Sequence, residues 1–577
     1  MRDARAQRWL LFEQPLEIFA TANPAEVLPM LHRIEQAVTE RGIYAAGMLA
    51  YEAAPSFDPA LTVRRTDGTF PLLWFGLFNP PRPIALENQR HAGAAEWLAS
   101  ITPEAYRAAF DRIKHHIHEG DAYQVNLTYR LRARLPYFKS PTSALQNTFS
   151  CLVAAQHATY GAFVSTSRWS LCSASPELFF SLDGTHIESR PMKGTAPRGL
   201  TLEQDRANAA ALQASEKNRA ENLMIVDMVR NDLGRVAIPG SVAAPTLFAL
   251  EKYPTVWQMT STVQAETRAS VADIFAALFP AASITGAPKG SAMRIIAETE
   301  SDPRRTYTGA IGFLAPNRHA QFNVAIRTLL IDHATGQAEY GTGGGIVWDS
   351  ECGLEQGECR TKTLILNASA EPFSLLETML WTPEEGVTLL ENHLARLSAS
   401  SEYFDYPADL AAIRQRLADL STSLQASHRV RLLVARDGTV TLEAAPFTIP
   451  CGDLSLRVAL APKPVDRDDP FLYHKTTRRR VFDEALAACP GFDDVILHNA
   501  GGEVTESTRA NVVAEIGGVC VTPPVRCGLL AGTLRQRLLD TGAIVERVIT
   551  VDDLYRAPRV WLVNSLRGMQ SAELKTP

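Results

Sequence analysis

The stretch Arg190 to Gly199, RPMKGTAPRG, sets a single lysine, Lys193, between Met192 and Gly194 and brackets it with Pro191 and Pro197. A lysine taken alone is nearly always on the surface, because its ammonium is costly to bury. It becomes a nucleophile only as the neutral amine, which requires a desolvating site. What the segment means therefore depends on its neighbours. Upstream lie GDAYQVNL (Gly120 to Leu127) and SASPELF (Ser173 to Phe179). Downstream lie AENLMIVDMVRNDLG (Ala220 to Gly234), FPAASITGAPK (Phe279 to Lys289), FNVAIRT (Phe322 to Thr328), GTGGGIVWD (Gly341 to Asp349) and EQGECRTK (Glu355 to Lys362). Most set ionisable residues beside glycine or proline. Singly, each has a plain reading: the glycines Gly343 to Gly345 let backbone N-H groups approach an anion, and they equally make a turn.

The chain has 577 residues, too many for one ordinary core, so two or more folding units are expected. With 46% hydrophobic and 21% charged residues it is globular, neither disordered nor fibrous. Lys plus Arg number 57 against 63 Asp plus Glu, a net charge of -6 that gives no global basic field for nucleic acid or anionic lipid and points to small molecules. Met1 to Ala20 lacks the apolar core of a secretory signal, and no apolar run approaches the roughly 18 residues of a membrane span, so a cytoplasmic protein is expected. The eight cysteines include no Cys-x-x-Cys pair, which suggests neither a disulfide framework nor a thiolate metal site.

Val27, Leu31, Ile34 and Val38 recur at helical spacing and Gly42 ends that helix; Tyr44 to Tyr51 and Phe70 to Phe78 read as strands. After a polar connection at 88–95, Thr102 and Pro103 open a second helix, which runs to Gly120. Its His115, His116 and His118 read as a solvated face. Mixed strands and helices continue to Leu366, a polar stretch occupies 367–371, and a new pattern starts at Phe373. The expected division is 1–95, 96–367 and 373–577.

In their order, the eight segments resemble the chorismate-binding enzyme family over roughly Trp9 to Leu366. The resemblance implies an α+β fold, an antiparallel β-sandwich with outer helices, together with Mg2+ and chorismate as substrate. Glu221 and Glu358 match the family's metal-binding glutamates, and hard oxygen ligands suit Mg2+. Arg327 and Tyr307 match the positions that hold the enolpyruvyl carboxylate, which a guanidinium fork pairs in two parallel hydrogen bonds. Lys362, Gly344, Gly345 and Thr285 match further substrate-binding positions, and Glu177 matches the general acid near the departing hydroxyl. Lys289 also fits the pattern, with its role left open. The anthranilate-forming members usually carry alanine where Lys193 stands; a lysine is typical of the aminodeoxychorismate-forming members. The resemblance thus implies attack by Lys193 at ring C2 with loss of the C4 hydroxyl, then displacement of the lysine by ammonia at C4. One departure is Gln258, where many members have a histidine: an amide takes up no proton at neutral pH. No Gly-x-Cys-x-Gly turn of a glutaminase is present, so ammonia is expected from a separate glutamine amidotransferase subunit.

From Phe373 another series begins: Leu376-Glu377-Thr378-Met379, His393 to Leu397, His474-Lys475-Thr476-Thr477-Arg478, Gly502 to Ser507 with Asn511, Leu530 to Arg535, and Asn564 to Gly568. It looks like a class IV pyridoxal phosphate enzyme, a fold of two subdomains. The resemblance implies Lys475 as the lysine that carries the cofactor, Glu506 as the acid on its ring nitrogen, and Arg396 with the Gly532-Thr533 turn as its phosphate site, where a helix N-terminus favours an anion. Members commonly dimerise, so a homodimer through this unit is implied. Transamination and elimination both fit these residues; the adjacent front unit points to elimination of pyruvate, giving 4-aminobenzoate for folate synthesis. Two other readings stay open, an anthranilate synthase component fused to a class IV aminotransferase and a metabolite-binding scaffold with an inactive second unit.

Overall fold

The structure, a computed structural model, describes residues 1–86, 95–135, 141–366, 371–449 and 455–575. Most of the connection at 88–95, most of the stretch at 367–371, and Cys451 lie outside the described residues. The chain divides into two compact units, one of Met1–Arg198 with Asn208–Glu371 and one of Gly199–Ala207 with Pro372–Pro577. Among the described residues no helix is long and apolar enough to cross a membrane. The seven described cysteines are free.

The first unit is built on two large antiparallel sheets. The ten-stranded one runs Met192–Pro197, Val256–Glu266, His186–Arg190, Leu178–Asp183, His319–Val324, Ala310–Ala315, Tyr44–Leu49, Leu73–Phe78 and Glu17–Thr21, with Ala243–Lys252 also pairing Val256–Glu266. The expected division at residue 95 therefore does not separate two sheets, because Tyr44–Leu49 pairs directly with Ala310–Ala315. In the seven-stranded sheet Gln124–Arg134 lies next to the edge, paired with Gln337–Ile346 on one side and with the short edge strand Gly286–Ala287 on the other. Met48 and Ile311 of the first sheet share an apolar cluster with Val164 and Leu171 of the second.

Helices cover the ten-stranded sheet. Pro24–Arg41 starts where the Asn23 side chain accepts from the Ala25 N-H at 3.1 Å and stops at Gly42, whose φ of +63° needs no Cβ. Its stripe of Val27, Leu31, Ile34 and Val38 packs with Phe75, Phe180, Phe275 and Phe322, and with Ile225 of the helix Glu216–Gly234. The second predicted helix is Pro103–His118, capped by Thr102.

The second unit has a four-stranded antiparallel sheet in the order Gly386–Val387, Leu375–Thr382, His428–Val434 and Val440–Pro446, covered by the helices Leu390–Phe404 and Leu410–Ser421. Its second sheet is mixed. Leu456–Leu460 pairs in parallel with Asp494–His498 and Gly568–Leu574, and the pairing of Glu506 with Asn511 closes the strands into a ring.

Candidate functional site

Each unit holds one cavity lined by the residues singled out in its sequence. In the first, Lys193, Glu177, Glu221, Glu358, Tyr307, Arg327, Gly344, Gly345 and Lys362 all line a cavity of about 190 Å³. Its key element is the strand Met192–Pro197. The pairing of this strand with Val256–Glu266 advances three residues from Met192 to Thr195 against two on the partner, a bulge that falls on Lys193 and Gly194. Bulges re-aim side chains, and Gly194, at φ +99°, occupies the backbone region that favours glycine. From the adjoining helix, Asn222 donates to the carbonyls of Lys193 at 3.2 Å and Met259 at 3.5 Å and accepts from the Ser261 hydroxyl at 2.6 Å. That bracket joins the bulge to the helix that carries Glu221.

The Lys193 amine donates to Asn126 Oδ1 at 3.3 Å. Burial pushes its pKa below the usual lysine value, the positive charge of Lys362 acts in the same sense, and Glu221, Glu358 and Glu177 oppose both. A Cβ at Gly345 would lie 2.8 Å from this amine and 2.8 Å from Gln124 Nε2, so a side chain there would displace the lysine. Glu177 is buried and accepts from the Ser283 hydroxyl at 2.5 Å. Burial raises it to about 7, against the pull of Ser283 and Lys193, far above the usual carboxylate range.

The helix Cys352–Thr363 presents Glu355, Glu358 and Lys362 to the cavity, at helical spacing on one face. Glu358 sits 2.6 Å from the Lys362 amine, which also donates to the Gly343 carbonyl at 2.8 Å. Burial raises Glu358, but Lys362, Lys193 and the Thr195 hydroxyl together outweigh it, and its pKa falls below the usual carboxylate value. Glu221 and Glu355 are raised, first by burial and also by the negative charge of Glu358. Among the described residues no group of three or more His, Cys, Asp or Glu could hold a metal unaided. The carboxylates of Glu221 and Glu358 nevertheless fit Mg2+, which takes one or two such ligands and completes its shell with substrate oxygens and water.

Arg327 is buried at φ +52°, and its guanidinium donates to the Lys362 carbonyl, which also accepts from the Tyr340 hydroxyl at 3.0 Å. Tyr307 lies under the Arg130 guanidinium at 4.9 Å, and burial raises its phenol to about 12. Thr285 is fully buried and outside the cavity lining, and its hydroxyl donates back to the Ala281 and Ala282 carbonyls. Lys289 pairs with Asp232 at 2.8 Å. Gln258 donates to the Thr195 hydroxyl at 3.0 Å, which in turn reaches Glu358 at 3.4 Å. Sequence reasoning missed Asn126, Lys217 and Glu355, all in the lining. Glu355 lies three residues before Glu358 on the same helix, a spacing that could have flagged it.

In the second unit, Lys475, Glu506, Arg396, Gly532 and Thr533 line a cavity of about 510 Å³. Lys475 is fixed through its backbone: its carbonyl accepts from the Leu376 N-H at 3.0 Å, and Thr476 bridges to Leu375. Burial lowers its amine to about 8, and the positive charge of Arg396 adds to the effect. Burial raises Glu506 to about 8, although its Oε1 accepts from the Leu530 N-H at 3.1 Å. Arg396 is not free in the cavity. It makes two hydrogen bonds to Glu377, at 2.9 and 2.6 Å, and one to the Ala531 carbonyl at 3.3 Å. His393 contacts Glu377 at 2.6 Å and Thr533 Oγ1 at 3.5 Å.

Gly532 is the N-cap of the helix Thr533–Asp540. A Cβ there would fall 1.9 Å from Asn511 Oδ1, whose amide donates to the Leu530 carbonyl at 2.8 Å, so only glycine fits. Glu377, His393 and Asn511 had stood in the motifs without a role. The donor set fits pyridoxal phosphate: an amine held near neutrality, a buried carboxyl, and a helix N-terminus beside an arginine.

Comparison with known proteins gives the same division. Residues 374–573 match the class IV amino-transferase family. Aminodeoxychorismate synthase component 1 of Escherichia coli is 40% identical over 303 residues, 51% of this chain and 65% of that protein. Anthranilate synthase component 1 of Methanothermobacter marburgensis is 32% identical over 62% of this chain and 80% of its own length. The crystal structure of anthranilate synthase component I from Streptococcus pneumoniae is 21% identical, with a TM-score of 0.53 over 62% of this chain and 92% of that one, and shows a shared fold. The chain spans between 55% and 65% of the four aminodeoxychorismate synthase component 1 relatives it matches. Residues 2–367, more than half of the chain, match the chorismate binding enzyme family, and the chain belongs to that family.

Proposed function

We propose that the chain makes 4-aminobenzoate in two steps, amination of chorismate to 4-amino-4-deoxychorismate in a unit ending near residue 367 and loss of pyruvate in the unit that begins near residue 373. The observation that carries the reading is the placement of the Lys193 amine, lowered by burial, in one cavity with Glu177, Glu221 and Glu358. Lys193 bonds to ring C2 while the C4 hydroxyl leaves with a proton from Glu177, as the resemblance implies; ammonia then bonds at C4 and the lysine departs with its electron pair. Glu221 and Glu358 would hold Mg2+, which when bound engages a substrate carboxylate. Arg327 and Tyr307 would receive the second carboxylate. Gln258, an amide hydrogen-bonded to Thr195, carries no proton between groups, in keeping with a product that retains the enolpyruvyl group. The component 1 names of the relatives favour a separate amidotransferase as the ammonia source. The shared apolar cluster between the two sheets of the first unit favours the sandwich description.

In the second unit Lys475, Glu506 and the Gly532-Thr533 turn would hold pyridoxal phosphate, which when bound supplies an electron sink at the carbon bearing the amine. Lys475 takes the proton from C4, pyruvate leaves from C3, and the ring becomes aromatic. Glu506 holds the proton at the ring nitrogen. Incubation with chorismate, Mg2+, ammonium and pyridoxal phosphate, read by mass spectrometry, tests both steps. The expected products are 4-aminobenzoate and pyruvate. Anthranilate would overturn the first step, and accumulation of 4-amino-4-deoxychorismate would overturn the second.

A further inference from the structure

In the first cavity, Lys193 and Glu177 are joined through a side chain that carries no charge, that of Asn126. Asn126 lies on the strand Gln124–Arg134 opposite Gly345 of Gln337–Ile346, and the glycine leaves room for it, since a Cβ there would fall 2.9 Å from Asn126 Oδ1. The Asn126 side chain is buried. Its Oδ1 accepts from the Lys193 amine at 3.3 Å and from Gln124 Nε2 at 3.2 Å, and its Nδ2 donates to the Ser283 carbonyl at 3.0 Å. The Ser283 hydroxyl in turn donates to Glu177 at 2.5 Å. Hydrogen bonds therefore run unbroken from the amine to the carboxyl.

The partners fix which way the amide faces. A carbonyl only accepts, so the Ser283 carbonyl requires the NH2 end and leaves the Oδ1 end for the amine. The Asn126 backbone is held on both sides as well: its N-H donates to the Thr285 carbonyl at 2.9 Å, and its carbonyl accepts from Arg304 Nη2 at 3.0 Å. The same guanidinium, buried, donates to the Ile284 carbonyl at 2.8 Å and to Glu300 at 2.6 Å. Strand and turn are stitched together at Ser283, Ile284 and Thr285 in succession. An amide suits this place because it is neutral. It accepts an N-H from the amine without adding a charge that would hold a further proton there, as a carboxylate would. With one N-H directed at Oδ1, rotation about the Cε–Nζ bond is restricted, and the lone pair of the neutral amine is confined to the directions that remain.

Resting on the reading of this cavity as the place where chorismate is aminated, we propose that Asn126 is a positioning residue for both halves of the first chemical step: its amide oxygen aims the Lys193 amine at ring C2, and its amide N-H sets the turn whose Ser283 hydroxyl holds Glu177 for the C4 hydroxyl. A step in which one bond forms at C2 while another breaks at C4 needs both groups in place at once. A side chain that touches the nucleophile and the mount of the acid fixes their separation.

The test uses the full chain with chorismate, Mg2+ and ammonium over a series of pH values, read as the sum of 4-amino-4-deoxychorismate and 4-aminobenzoate formed. Asn126→Ala should lower kcat on the order of 10²-fold with KM for chorismate little changed, because orientation is lost while Arg327 and Tyr307 are untouched. Ser283→Ala removes a donor that pulls Glu177 down, so the alkaline fall of kcat/KM should move to higher pH. Asn126→Ala should move it in the same direction, since the turn is no longer held. The charged groups that act on Glu177 are Lys193, from the strand Met192–Pro197, and Lys362, from the helix Cys352–Thr363, and every variant keeps both. Asn126→Asp has the same shape, keeps an acceptor for the amine and loses the donor to Ser283; it should leave the rate low, and it stands in for the alanine variant should that one unfold. An unchanged kcat in the Asn126 variants would overturn the aiming of the amine, and a lower kcat with the alkaline fall unmoved would overturn the link to Glu177. Failure of the parent reading looks different: the unaltered protein itself would then form neither product from chorismate.

Discussion

Both cavities keep a lysine amine below its usual pKa, and they do so against opposite surroundings. Lys193 is lowered by burial while Glu221, Glu358 and Glu177 push it back up. Lys475 is lowered by burial and lowered again by Arg396 and Arg479, with Glu377 and Glu506 opposing. The first cavity is furnished with carboxylates and suits a cation; the second is furnished with guanidinium groups and suits anions. Each set of ligands then changes its lysine differently. A divalent cation, if held by Glu221 and Glu358, would neutralise groups that favour the protonated Lys193, whereas a phosphate bound in the second cavity would neutralise positive charge that lowers Lys475.

The largest effect should come from exchanging these two amines in turn. Lys193→Ala should lower formation of 4-amino-4-deoxychorismate by on the order of 10³-fold or more, while added 4-amino-4-deoxychorismate is still converted to 4-aminobenzoate. Lys475→Ala should do the reverse and accumulate 4-amino-4-deoxychorismate. A Lys193→Ala protein with an unchanged amination rate would remove the basis of the comparison. Glu177 sharpens it. Because this carboxyl sits at about 7 and acts while protonated, the front reaction should slow as pH rises above that value. Glu177→Gln should lower the rate by on the order of 10²-fold or more and erase the alkaline fall, measured as the pH dependence of kcat/KM with chorismate.

Next in size is the ion pair beneath the second cavity. Arg396 and His393 outweigh the burial of Glu377 and hold it near 2, far below the ordinary carboxylate value. A depressed carboxylate stabilises the folded state fully above its unfolded pKa and loses that contribution as pH falls through its folded one. The contribution is roughly 3 kcal/mol, present at pH 7 and fading as pH falls from about 4.5 towards 2. Glu377→Gln should therefore destabilise the second unit by about that amount at pH 7 and by clearly less at pH 3. Urea unfolding followed through the cofactor absorbance would measure it; an equal loss at both pH values would show that packing, not charge, is what Glu377 supplies.

Much of the site could be read from residue order, because Lys193, Glu177, Glu221 and Glu358 each stand in a recognisable segment. What stayed hidden depends on pairing between distant strands. The bulge at Lys193 and Gly194 exists only relative to Val256–Glu266, and no local pattern in RPMKGTAPRG announces it. Thr285 sits in a matching segment, yet its hydroxyl turns inward to Ala281 and Ala282, an orientation that composition cannot report. Likewise the pairing that holds Arg396 in place, its two hydrogen bonds to Glu377, 19 residues away, cannot be read from its own segment. The sheets follow from apolar alternation, whereas the pairing of Tyr44–Leu49 with Ala310–Ala315 is a long-range contact with no local signature.

The smallest expected effect isolates the bulge itself. Asn222 is 1% exposed and is the side chain that ties the Lys193 backbone to the helix carrying Glu221. Asn222→Ala leaves the Lys193 carbonyl without this donor and the Ser261 hydroxyl without its acceptor, a cost of about 1–3 kcal/mol to the first unit. If the bracket also aims the amine, kcat for chorismate amination should fall on the order of tenfold, with KM little changed, since a small displacement of a reacting atom slows the chemical step more than it weakens binding. Ser261→Ala supplies the contrast: it removes the hydroxyl that donates to Asn222 Oδ1 and leaves the donation to Lys193 in place. It should cost about 1 kcal/mol of stability and leave kcat nearly intact. Equal kcat in the two variants would mean that Asn222 stabilises the unit without orienting its lysine.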